Sequence, residues 1–154
     1  MADLYHFWTH GVSIIPEKTK EFTGDHNGLF LQRAAWGARV RQNPGTDNWF
    51  HFAIPTPTIL DGGSSVWTGD VWIRVKVNNG ATVTGVRVHQ TGGLNAASPV
   101  LFDAGPLNIT GQDTQLTFHT PQSTTGPYVV STHVQFENEG AEIVFGGVGG
   151  GFTG

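Results

Sequence analysis

From Asn48 to Ile54 the chain places Phe50, Phe52 and Ile54 on one side and Trp49, His51 and Ala53 on the other. This is the period-two pattern of a strand with one buried face. Pro55 and Pro57 end it, because proline cannot donate to a ladder. Ser65 to Val77 is the strongest run: Val71, Ile73, Val75 and Val77 point one way, Trp72, Arg74 and Lys76 the other. Asn78-Asn79-Gly80 then supplies the left-handed residues of a hairpin turn, and Thr82 to His89 returns. Tyr128 to Glu137 alternates through Val130, Thr132, Val134 and Phe136, turns at Asn138-Glu139-Gly140, and continues as Glu142 to Val148.

Shorter runs fill the rest. Tyr5 to Ile15, Leu29 to Arg33, Ala35 to Arg41, Pro99 to Asp103, Leu107 to Thr110 and Thr114 to Thr120, the last burying Leu116 and Phe118, all read as strands. The best helix candidate, Pro16 to Phe22, covers one or two turns and reads equally well as a charged loop. Some nine to ten short strands, each with one apolar side, predict an all-β, antiparallel β-sandwich of jelly-roll or Ig-like type, with a closed barrel as second choice. Two longer polar connections, Pro16 to Gly28 and Gln90 to Ser98, have the size of functional loops.

Length and composition narrow the picture. A chain of 154 residues fits one domain, 1–154, that can bury a core without metal or disulfide. It has no cysteine, which excludes disulfides, cysteine-rich zinc sites and thiol nucleophiles. The net charge of −4 has the wrong sign for a nucleic-acid binder that works by phosphate neutralisation. The one local cluster of bases, Arg33, Arg39 and Arg41, reads as a solvated face. No window is apolar enough to span a membrane, and the first residues lack the basic and apolar regions of a secretory signal; a cytoplasmic protein with no membrane partner is expected. The glycine-rich tail from about residue 146 reads either as a frayed end or as a flat edge that pairs with another subunit.

Candidate chemistry centres on a repeated Trp-x-His, found as Trp8-Thr9-His10 and Trp49-Phe50-His51, with His6 extending the first. Residues two apart share a strand face, so the five rings would converge if the two strands were neighbours. Three readings follow. The rings stabilise a half-buried sheet; or they form a platform on which a sugar or other ring stacks; or His6, His10 and His51 hold a metal ion. Trp72 and Arg74, outward together, suit a partner hot spot. His89, His119 and His133 also fall on faces turned from the core. Glu137, Glu139 and Glu142 read as a solvated hairpin end.

No nucleophile elbow, phosphate loop or His-Glu-x-x-His motif occurs in the sequence. The leading expectation is therefore a non-catalytic sandwich without cofactor. It binds a small-molecule or carbohydrate ligand through Trp8, His10, Trp36, Trp49, His51, Trp72 and Arg74, or self-associates as a homo-oligomer. The alternative is a small isomerase, cyclase or hydrolase, with or without a metal. In it His10 or His51 is the general base in a pocket lined by Trp8, His10, Trp36, Trp49 and His51.

Overall fold

The computed structural model describes residues 5–19, 28–56, 66–90, 100–111, 113–120, 123–124 and 128–153. In chain order the strands are β1 (Tyr5–His10), β2 (Ile15–Pro16), β3 (Phe30–Ala34), β4 (Gly37–Arg41), β5 (Thr46–Ile54), β6 (Val66–Asn78), β7 (Ala81–Gln90), β8 (Val100–Asp103), β9 (Asp113–His119), β10 (Ser123–Thr124), β11 (Tyr128–Phe136) and β12 (Glu142–Thr153). Every pairing is antiparallel. The first sheet is built on β12, flanked by β6 on one side and by β4 and β1 on the other; β3 lies beyond β4, and β9 and β10 beyond β6. The second runs β2-β5-β11-β7-β8. The two sheets are separate, so the architecture is the expected sandwich and not the barrel.

The alternation read from the sequence decides which side chains meet between the sheets. Phe50 and Phe52 from β5 face Phe145 from β12, with ring centroids 5.7 and 5.1 Å apart. Tyr128 and Phe7 close on Phe152. Val71, Ile73, Val75 and Val77 join this core, as do Val130, Val134 and Phe136. The β6–β7 hairpin turns on Asn79 at φ 55° and Gly80 at φ 90°, which is what Asn-Gly supplies at least cost.

Several local expectations need correction. Pro16 to Thr19 is not helical: Pro16 pairs with Phe50, and the Glu17 amide donates to the Trp49 carbonyl. The rest of that segment and nearly all of the Gln90–Ser98 loop lie outside the described residues. Leu107 to Thr110 makes a single bridge, Val83 to Ile109, instead of a strand. The glycine-rich tail is neither frayed end nor edge. It completes the middle strand of the first sheet, with β1 on one side and β6 on the other. Glu142 is not solvated but 8% exposed, held by Arg41 at 2.7 Å and Arg39 at 3.5 Å.

Candidate functional site

The Trp-x-His repeats do not meet. β1 belongs to the first sheet, and its inward residue Phe7 packs on Phe152, so His6, Trp8 and His10 point away from the core. β5 belongs to the second sheet and buries Phe50 and Phe52, so Trp49 and His51 point outward on the opposite side of the sandwich. A metal site from His6, His10 and His51 is therefore not formed, nor is a pocket lined jointly by Trp8, His10, Trp36, Trp49 and His51. Among the described residues, no group of three or more His, Asp or Glu side chains could hold a metal ion.

Each candidate base is also committed elsewhere. His10 caps the short 3-10 turn Gly11–Ser13: its Nδ1 accepts from the Val12 amide at 2.9 Å, and its Nε2 lies 2.8 Å from the Ala35 carbonyl. His51 places Nδ1 2.6 Å from Ser131 Oγ and Nε2 3.2 Å from Glu17. Trp36 stands in the β3–β4 turn, with the Arg39 guanidinium 5.2 Å from its ring centre.

On the first sheet, β12 presents Gly147, Gly149 and Gly151 outward, opposite His10, Trp8 and His6. A methyl group at Gly149 would stand 2.6 Å from the Trp8 ring. The bare backbone there lets the indole lie down over the strand and stack on Trp72, centroids 5.6 Å apart at 16°. Arg74 sits 4.4 Å from the centre of the Trp8 ring, and His6 packs on Trp72 at 4.7 Å. Gly149→Ala is expected to lift Trp8 off Trp72 at a cost of about 1–3 kcal/mol, the range for overpacking. The near-UV circular dichroism of the indole pair reads this directly; an unchanged spectrum would contradict the stacking.

On the second sheet the outward residues enclose a concave site. Trp49, His133 and Gly85 align across β5, β11 and β7. The ladder shifts register between His133 and Val134, a bulge of the sort that re-aims side chains beside sites. The Trp49 and His133 rings are 4.8 Å apart, and the Arg87 guanidinium lies 5.0 Å from the indole centre. Arg87 Nε donates to Asp103 at 3.1 Å, and the Gly105 amide donates to the other oxygen at 2.9 Å. Together with Thr84 and Pro106, these groups border a pocket of about 280 Å³.

A polar chain fixes the pocket wall. His133 Nε2 is 2.7 Å from Asp47 Oδ2, Lys18 Nζ donates to Asp47 Oδ1 at 2.9 Å, and Thr84 Oγ1 meets His133 Nδ1. With Asp47 ionised, the consistent assignment has Nε2–H donating to the carboxylate and Nδ1 accepting from the threonine hydroxyl. Partial burial would raise the Asp47 pKa, but the hydrogen bonds from His133 and Lys18, with the Lys18 charge, outweigh it and hold the carboxyl below its ordinary range. The Gly105 amide, aided by Arg87, lowers Asp103 in the same way.

Of the ligand-binding candidates named from sequence, Trp49 alone lines this pocket, joined by His133, which the alternation had turned from the core. Trp8, Trp72 and Arg74 form the platform on the other face. Arg87 and His133 carried a readable signal, since Arg87 stands between the inward Val86 and Val88 and His133 between the inward Thr132 and Val134. Asp103 did not, because only the β7–β8 pairing, Arg87 against Asp103, brings it there.

No helix among the described residues is long and apolar enough to cross a membrane. No family model matches the sequence, and no curated protein does. The chain superposes on a family 29 carbohydrate-binding module from Piromyces equi with a TM-score of 0.51 and 8% identity, covering 98% of this chain and 93% of that one. It superposes on the low-affinity xylan-binding module CBM86 from Roseburia intestinalis with a TM-score of 0.55 and 10% identity, covering 97% and 96%. At such identities the likeness establishes architecture: the chain has the two-sheet antiparallel sandwich that both of those modules have.

Proposed function

We propose that the chain is a carbohydrate-binding protein that takes a sugar ring in the pocket of Trp49, Arg87 and Asp103. The carrying observation is the arrangement of those three side chains. An indole offers a flat apolar face, suited to the C–H side of a pyranose. Beside it, Arg87 donates and Asp103 accepts, 3.1 Å apart, the complement of two neighbouring hydroxyl groups. The volume, about 280 Å³, lies near the lower end of the roughly 300–1,000 Å³ usual for ligand pockets, so one ring or one chain end fits. The two superposed modules support the reading by analogy of architecture alone.

A second reading, an enzyme with a histidine base in a Trp-lined pocket, draws on His133 and its bond to Asp47. Both of its ring nitrogens are engaged within the protein, so a ligand proton reaches it only through Thr84. That disfavours direct base catalysis and leaves binding as the better reading.

Titration calorimetry with neutral xylo-, cello- and manno-oligosaccharides tests the proposal. Saturable binding of at least one, with no products in the mixture, is expected. No binding to any would remove the proposal, and release of products would favour the enzyme.

Acidity gives a further check. A carboxyl whose pKa is depressed in the folded state contributes above its unfolded pKa, and that contribution is lost as pH falls through the folded value. Asp103 and Asp47 both shift down, so affinity is expected to hold from neutral pH through the ordinary aspartate range, about 3.9. It should fall only below that. A midpoint near neutrality would implicate another group and contradict the role of Asp103.

A further inference from the structure

We infer that the outer face of the first sheet is a second binding surface, opposite the pocket, that takes an extended acidic polysaccharide. Charge is the first observation. The protein carries 8 Lys and Arg against 12 Asp and Glu, yet the strand alternation puts Arg39, Arg41, Arg74 and Lys76 on this single face. The carboxylates that the same alternation puts there are Glu142, Asp70 and Asp113, the last opposite Lys76 in the β6–β9 register. Glu142 is already spanned by Arg39 and Arg41, and Asp70 lies 2.9 Å from His119 Nδ1. Among the described residues, four cations against three carboxylates leave this face positive by one on an acidic protein. The opposite face has the reverse balance, with Lys18 and Arg87 against Glu17, Asp47 and Asp103.

Shape and ring chemistry are the second observation. The middle strand β12 runs along this face from Glu142 to Gly151, a length of about 30 Å at ~3.3 Å per residue. On one side of it stand Arg41, Arg39 and Trp8; on the other, Lys76, Arg74 and Trp72. The cations occupy one end and the stacked indoles the other, with Arg74 joining them over Trp8. Trp8 remains 38% exposed. A polymer of rings with spaced acidic groups matches this layout: a ring rests on Trp8 while its carboxylates or sulfates meet the cations further along. Single-stranded RNA binds by stacking successive bases on separate aromatic faces, whereas the indoles described on this face are stacked together as one platform, Trp8 on Trp72, which favours the polysaccharide. This surface shares no residue with the pocket, and the two sites stand or fall separately.

The test is fluorescence anisotropy of labelled polygalacturonate, a labelled sulfated galactan and a labelled oligouridylate, each titrated with the full chain at low and high salt. Binding of at least one acidic polysaccharide is expected, weakened by salt because the charges are exposed. A preference between the two identifies carboxylate or sulfate as the recognised group. Arg74→Ala/Lys76→Ala, changes at two exposed positions, should weaken binding roughly tenfold or more, with an unchanged far-UV spectrum. Trp8→Ala should weaken it too, and Trp49→Ala should not. Failure of both polysaccharides to bind, equal binding by the double variant, or tighter binding of oligouridylate would overturn the inference.

Discussion

Phe145→Ala is expected to cost about 3–5 kcal/mol of folding stability, the range for deleting a fully buried phenylalanine ring. Phe145 is 0% exposed and belongs to β12, the strand on which the first sheet is assembled. Its ring reaches across the interior to Phe50 and Phe52, so one side chain ties the middle of one sheet to β5 of the other. Collapse into the space is hindered, because the surrounding rings come from strands locked in register on both sides. Against a total of about 5–15 kcal/mol for a native domain, such a loss brings the variant near unfolding. For a chain of this size it lowers the melting temperature by about 6–20 °C. In urea the midpoint should fall with the slope unchanged. Phe30→Ala is the control: Phe30 is 48% exposed, and its loss should stay within about 0.5 kcal/mol. If the two variants proved equally stable, the assignment of the core would fail.

The interior and the site were not equally legible in the sequence, and the difference is physical. Alternation is a local property, so the inward sets of β5, β6, β7 and β11 could be read directly. So could the outward direction of Trp8, Trp49, Trp72 and Arg74. Which sheet a strand joins is not local. After β1 the chain passes through a 3-10 turn and enters the second sheet at β2, so two identical motifs end on opposite faces. The pocket has the same cause: Asp103 reaches Arg87 only through strand pairing, and Asp47 reaches His133 across a sequence separation of 86.

β12 was obscured for a different reason. Gly147, Gly149, Gly150 and Gly151 carry no side chains, so the period-two signal fades where the strand is most enclosed. Rings from other strands supply the missing bulk: Trp8 of the adjacent β1 covers Gly149, and Tyr128 of the facing sheet occupies the space beside Gly150. Glycine here marks close approach of other groups, which a single segment cannot reveal. Glu142 failed in a related way, since its partner Arg41 lies 101 residues away in sequence.

Trp49→Ala should weaken oligosaccharide binding at the pocket by about 30-fold or more while leaving the fold intact. Trp49 supplies the one indole among the residues lining the pocket, and truncating such an anchor costs about 2 kcal/mol or more, roughly 30-fold in affinity. The strand itself is held by Phe50, Phe52 and Ile54 on its other side, so the unfolding midpoint should move little. Arg87→Lys separates charge from geometry. Lysine keeps the positive charge but loses the planar fork that can face the indole, Asp103 and a hydroxyl together, so affinity should fall between wild type and Trp49→Ala. Calorimetry on the three chains with the same oligosaccharide supplies the comparison. Equal affinity in Trp49→Ala and wild type would mean that the sugar, if bound, rests elsewhere. The Trp8–Trp72 platform would then be the next surface to dissect, because it too places an indole beside an arginine on an outer sheet face.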